Sequence, residues 1–282
     1  MSIYDELLKL QKIPDAYTNW REYRERLTDY IISTLEAGST VAVFGAGGCN
    51  DINLKRLQQH FSKIVLYDRD ITTLYEALDT YHITLKENIV LKETDFLGIT
   101  PEEYREYADD VLRMIQGNGK NTDMDEVAEY AILRMKDLYQ KAEKRPLSFG
   151  DKCYDAAVAV GVHSQINNMF AWLWQVYLDA VGKREDTVFE YVKKQNDIII
   201  PRFDRAVFSC AKKHVIFGLE KERIGMPGGI QGAHQAFLDI KEMQERGECL
   251  IEEALPLIWQ FDVDRNICYR MSILNVQAVP HL

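Results

Sequence analysis

Val41–Asp70 (VAVFGAGGCNDINLKRLQQHFSKIVLYDRD) constrains the fold of this 282-residue chain more than any other stretch. Val41–Phe44 is a short, apolar, β-branched run suited to a strand buried on both faces. Gly45 and Gly47 follow it; with no Cβ, they let the backbone turn sharply and approach a ligand closely. Ile52, Leu54, Leu57 and Phe61 mark helix-compatible sequence, Ile64–Tyr67 a second strand, and Asp68 that strand's C-terminal end. In an open α/β sheet a carboxylate at this point accepts hydrogen bonds from ribose hydroxyls. The segment therefore predicts a strand–helix–strand unit that binds a nucleoside-containing cofactor.

The turn discriminates between cofactors. Dinucleotide dehydrogenases use G-x-G-x-x-G/A, whose third small residue lets helix and strand pack closely. Here that third position is Asn50, followed by Asp51. A carboxylate at the mouth of the turn repels a pyrophosphate but suits the ammonium of a methionine moiety. The Gly45-x-Gly47 turn, Asp51 and Asp68, in this order and spacing, resemble motif I of the class I S-adenosylmethionine-dependent methyltransferases. The resemblance implies S-adenosylmethionine as cofactor, with Gly45, Ala46, Gly47, Asp51, Asp68, Arg69 and Gly161 around it. It also places Asp95 and Phe96, just past a third strand at Asn88–Lys92, against the adenine.

Further along, Tyr154–Val160 (YDAAVAV) is similar to the family's fourth strand, Lys213–Leu219 to its fifth, and Ile258–Val263 with Ile267–Val276 to its closing hairpin. The resemblance thus spans most of 41–276, although only its first third carries specific motifs. Val43 stands where the family often has an acidic residue, and Cys49 where a third glycine is common. Neither an Asn/Asp-Pro-Pro-aromatic motif nor a Pro-Cys pair follows the fourth strand, which argues against exocyclic-amine and cytosine-C5 base methylation. The implied fold is α/β: a doubly wound, mostly parallel sheet of seven strands with an antiparallel C-terminal hairpin. Residues 1–38 form an N-terminal helical extension and 39–282 the methyltransferase domain.

Within the extension, Trp20, Tyr23, Leu27, Ile31 and Leu35 recur at spacings of three and four, one apolar helix face, with Gly38 as its stop. It either covers the cofactor mouth or simply packs. Residues 98–150 are a helical insert between the third and fourth strands. Thr100 and Glu103 form a capping box at the start of its first helix, Gly117-Asn118-Gly119 breaks it, and Asp125–Lys141 is its second helix. The insert is read as a substrate lid, or as a decorative helical hairpin or oligomer contact. Asn167–Ala180 is an amphipathic helix, 186–212 another with a break expected at Pro201, and Met226–His234 a glycine-rich loop near the substrate pocket.

Methyl transfer from a sulfonium asks the protein mainly to position a nucleophile and remove its proton. His163, just past the fourth strand, is the candidate catalytic base, with a structural hydrogen-bonding role as the alternative; His234 ranks second. No compact cluster demands a metal. A net charge of −10, from 44 acidic against 34 basic residues, disfavours nucleic acid as a partner and leaves a small-molecule or peptide acceptor. Five scattered cysteines at 49, 153, 210, 249 and 268 fit reduced thiols. The charged N-terminus and the lack of a long apolar run point to a cytoplasmic protein without a membrane span. The expected function is methyl transfer to an oxygen or nitrogen. A nicotinamide-dependent oxidoreductase and a cofactor-binding protein without turnover are the alternatives.

Overall fold

The computed structural model describes residues 2–10, 12–85, 88–118, 122–226, 230–253 and 256–279. Three helices lead the chain: α1 (Ile3–Leu10), α2 (Ala16–Asn19) and α3 (Arg21–Thr34). β1 (Thr40–Phe44), α4 (Leu54–His60), β2 (Lys63–Asp68), α5 (Ile71–Thr80) and β3 (Ile89–Glu93) then alternate. The helical insert is α6 (Pro101–Asn118) and α7 (Met124–Lys144). β4 (Tyr154–Val160), α8 (Met169–Val181), α9 (Thr187–Cys210), β5 (Ala211–Arg223) and α10 (Gln231–Glu245) follow. β6 (Cys249–Glu253), β7 (Leu257–Asp262) and β8 (Ile267–Ala278) close the chain.

The sheet runs β3-β2-β1-β4-β5-β8-β6. The first five strands are parallel and β8 is antiparallel to β5. β6 and β7 pair with successive halves of β8, from Cys249 opposite Ala278 to Asp262 opposite Ile267. They make one edge position in two pieces, so the sheet has the seven positions and the antiparallel closing pair expected of the methyltransferase fold. Strand order reverses between β1 and β4, and a cavity opens at the C-terminal ends of the strands there, as in other doubly wound sheets.

Alternation along the strands sorts two cores. In β1, Ala42 and Phe44 join the layer of α6–α10, whereas Val41 and Val43 join that of α3, α4 and α5. β4 divides likewise, Ala157 and Ala159 against Ala156, Val158 and Val160. The insert belongs to the first core: Tyr104, Tyr107, Val111, Val127, Ala131 and Met135 are buried against α1, α8 and α9. It packs on one face of the sheet, and of its described helical residues only Pro101 and Arg105 reach the cavity wall.

Four details differ from the sequence reading. α3 ends at Thr34, where buried, extended Leu35 anchors the chain; Gly38, at φ +78°, serves the turn into β1 instead. α9 continues through Pro201, because Ile199, Ile200, Phe203 and Val207 bury the helix and offset a cost of about 3 kcal/mol. α10 takes in Gly232–His234, so these residues are helical and exposed His234 does not line the cavity. β6 went unread because its edge position leaves Leu250 60% exposed, which blurs the apolar pattern. Gly119 and Pro227–Gly229, named in the expected break and loop, lie outside the described residues. No described helix is long and apolar enough to cross a membrane.

Candidate functional site

The cavity encloses about 1030 Å³ and runs from the glycine turn after β1 to the strand ends of β4, β5 and β8. Its near half is built by the turn. Gly45 and Ala46 donate their N–H groups to the Tyr67 carbonyl at 2.9 and 3.1 Å, tying the turn to β2. Gly45 sits at φ +69°, and a Cβ there would lie 2.7 Å from Val162, so only glycine fits. The Gly47 N–H donates to Asp68 Oδ2 at 2.8 Å, and the Asp70 N–H to Asp68 Oδ1 at 3.0 Å. Asp68 thus braces the turn and the start of α5 at once. Burial raises its pKa, with the two amides and Arg69 pulling back. Cys49 holds φ +50° where a glycine would be strain-free. Tyr81 Oη fixes it, lying 2.9 Å from the Cys49 carbonyl and 2.7 Å from that of Ile52.

Asp51 lines the cavity beside Gly48 and Asn50. Burial pushes its carboxyl up to about 7, against its own and Ile52's backbone amides and the charge of Arg24. Arg24 is a site residue the sequence reading missed. It is 4% exposed in α3, and its Nη1 donates to the Tyr17 carbonyl at 2.6 Å and the Asn50 carbonyl at 3.1 Å. This buried cation clamps the N-terminal helices onto the glycine turn. A lone arginine within an amphipathic helix gives no such signal in sequence.

Tyr4, Leu8, Ile13, Ala16 and Trp20 line the same cavity, so the N-terminal extension forms part of its wall. Arg69, Asp70, Ile71 and Thr72 line it beyond Asp68. Asp95 and Phe96 are not among its lining residues. Asp95 Oδ1 accepts the Gly98 N–H at 2.6 Å and the Ile99 N–H at 3.3 Å, shaping the turn into α6. The Phe96 ring packs into the α-helical core, its centroid 5.0 Å from Phe203 and 6.0 Å from Phe149.

The far half converges from distant segments. Gly161 is at φ +64°, and a Cβ there would lie 3.0 Å from the Trp259 ring, so the indole can lie over the end of β4. Trp20, Trp259, Phe261 and Tyr269 line this half with Ser164 and Glu220. Gly232 packs the start of α10 against the chain after β4; a Cβ there would collide with the His163 carbonyl oxygen. His163 lines the cavity, yet its imidazole is fully buried. Its Nε2 lies 2.8 Å from Asp204 Oδ1, and Phe203 and Phe217 flank the ring. Burial raises Asp204, and the imidazole beside it pulls back. The imidazole is thus held by Asp204 through one nitrogen, and its Nδ1 is buried without a partner. Of the two tryptophans of α8, Trp174 is core and Trp172 reaches the cavity.

No family model and no curated protein matches the chain. Solved structures are similar to it along most of their length. Magnesium protoporphyrin IX methyltransferase (ChlM) from Synechocystis PCC 6803 with bound SAH is 10% identical, over 98% of this chain and 94% of that one, with a TM-score of 0.48. YcgJ protein from Bacillus subtilis is 8% identical over 91% and 100%, with a TM-score of 0.48. The N-methyltransferase NodS from Bradyrhizobium japonicum WM9 is 13% identical over 95% and 99%, with a TM-score of 0.43. The fold assignment rests on the strand order described above.

Proposed function

We propose that this chain binds S-adenosylmethionine in the near half of the cavity and transfers its methyl group to a nitrogen or oxygen of a small-molecule or peptide acceptor in the far half. The observation that carries this reading is the pair of carboxylates at one glycine turn, Asp51 following it and Asp68 hydrogen-bonded to it from the end of β2. Asp51 is half-buried with its pKa pushed up to about 7, so it gains from an ammonium beside it. Asp68, at the end of β2, is the acceptor for ribose hydroxyls. Arg69 and Ile71, which line the cavity beyond Asp68, mark the end where the adenine would lie. A pyrophosphate at Asp51 would meet like charge, which weighs against a nicotinamide dinucleotide.

When bound, the cofactor supplies an activated methyl group on a sulfonium. The chain's own part is to orient the acceptor, exclude water and take a proton where the acceptor must lose one. Gly161, with Trp259 over it, sets the floor between the two halves. His163, through its bond to Asp204, is a positioning residue for the loop that carries Ser164.

Isothermal titration calorimetry with S-adenosylmethionine and S-adenosylhomocysteine tests the reading. Micromolar binding that is lost in Asp68→Ala is the expected result. A folded protein that binds neither, or that prefers NAD, overturns it.

A further inference from the structure

The far half of the cavity holds a buried acid with one of its two oxygens unpartnered. Glu220 stands near the end of β5, at a register shift between Glu220 and Glu222 in its pairing with β8. Its side chain lies on the sheet face of Trp259 and Tyr23, and the residue is 3% exposed while lining the cavity. Oε1 accepts the Ser164 hydroxyl at 2.7 Å. Oε2 is buried and has no partner. Among the described residues, no lysine or arginine forms an ion pair with Glu220; Arg265, on the same cavity wall, is taken by Asp262 at 3.7 Å. A buried carboxyl with one open oxygen is costly unless something fills the gap.

The surroundings name what fills it. Trp20 meets Trp259 edge-on at 4.8 Å, Phe261 lies 5.0 Å from Trp259, and Tyr269 lies 5.4 Å from Phe261. Tyr23 stacks on the back of Trp259 at 5.3 Å. Two more buried polar atoms in this cluster, Trp259 Nε1 and the Tyr23 hydroxyl, also have no partner. Aromatic faces attract cations through their quadrupoles, and a buried carboxylate strengthens that attraction with a charge-assisted hydrogen bond. An anionic acceptor would meet only repulsion at Glu220.

We propose that Glu220 and the aromatic wall of Trp259, Phe261 and Tyr269 form an acceptor subsite for a small basic amine on an apolar or aromatic body. This deepens the methyl-transfer reading, on which it rests, by committing the acceptor atom to nitrogen. An ammonium binds with one N–H on Glu220 Oε2. That N–H bond breaks as an O–H bond forms on Oε2, and the electron pair stays on nitrogen, making it a nucleophile. Burial raises the Glu220 pKa, with the Ser164 bond and nearby His163 pulling back, which suits a group that takes this proton.

The test is binding, not turnover. 2-Phenylethylamine, 2-phenylethanol and 3-phenylpropanoate are titrated by ligand-observed NMR into the full chain and into Glu220→Gln, with S-adenosylhomocysteine titrated separately as a probe of the near half. The amine is expected to bind and the alcohol and carboxylate not to. Glu220→Gln should weaken the amine at least about tenfold and leave S-adenosylhomocysteine within about twofold. Tyr269→Leu, a milder change on the wall, should weaken the amine a few fold if Glu220→Gln does not fold. Equal binding of amine and alcohol overturns the subsite, as does amine binding indifferent to both variants, or no amine binding by a chain that binds S-adenosylhomocysteine. Glu220-dependent amine binding without S-adenosylhomocysteine binding would instead overturn the cofactor reading and leave the subsite standing.

Discussion

The two halves of the cavity are built in opposite ways. The near half comes from one continuous stretch: Gly45, Ala46 and Gly47 are tied by their backbone amides to Tyr67 and Asp68, some twenty residues on. The far half draws Gly161 and Ser164 from the loop after β4, Glu220 from β5, Gly232 from α10, and Trp259 and Tyr269 from the closing strands. A half made by one segment keeps its geometry through local turns and hydrogen bonds. A half made by convergence depends on how whole elements dock, and its carboxyl is left with an open oxygen. This division suits a constant ligand at one end and a particular one at the other.

The sharpest way to break the comparison is to undo one docking contact. Gly232→Ala drives a Cβ into the His163 carbonyl, which is backbone and cannot rotate aside. The expected loss is about 3 kcal/mol of stability in a denaturant titration, with the amine subsite lost first. A variant as stable as the parent would show that α10 is not what holds the far half together.

Next in size is Asp68→Ala, which strikes the local construction of the near half. It removes the acceptor of the Gly47 and Asp70 amides together with the proposed ribose contact. Calorimetry should show S-adenosylhomocysteine weakened about a hundredfold, while the amine still binds. Equal loss of both ligands would mean that the halves are one unit.

Asp51→Asn separates the halves by pH. Its folded pKa of about 7 lies above the ordinary 3.8, so the folded chain holds a proton that the unfolded chain has released between about pH 4 and 7. The cofactor-free chain therefore loses this contribution as pH rises through that window. The asparagine variant should be more stable than the parent at pH 8, by about 1 kcal/mol, with the advantage vanishing near pH 4. S-adenosylhomocysteine affinity should rise in the parent from pH 5.5 to 8, as Asp51 ionises to meet the ammonium, and stay flat in the variant. A parent whose affinity does not change over that range would remove Asp51 from the ammonium.

The same division explains what could be read from sequence. Alternation and glycine placement exposed β1, the turn and β2 almost to the residue, because each follows from the residues' own geometry. Asp95 and Phe96 were read only by type, and the fold gives them local work the sequence does not announce: one shapes the turn into α6 and the other packs in the core. His163 was located on the right loop, but nothing nearby in sequence announces Asp204, 41 residues on in α9, which encloses its ring. Arg24 and Glu220 are ordinary charged residues in a helix and a strand. Only the packed fold makes them buried and therefore informative.

The smallest expected effect tests whether the near half is as local as it looks. Tyr81 follows α5, outside the Val41–Asp70 segment, yet its hydroxyl reaches the carbonyls of Cys49 and Ile52 across the turn. Those two bonds hold Cys49 at φ +50°, a conformation its side chain resists. Tyr81→Phe keeps the ring and deletes only the hydroxyl, so about 1 kcal/mol of stability should go, read by thermal unfolding. If the segment is self-sufficient, S-adenosylhomocysteine affinity stays within about twofold. A larger drop would mean that the turn is held from outside by Tyr81, as it is by Arg24, and that even the most legible part of this chain takes its final shape from residues its own segment does not contain.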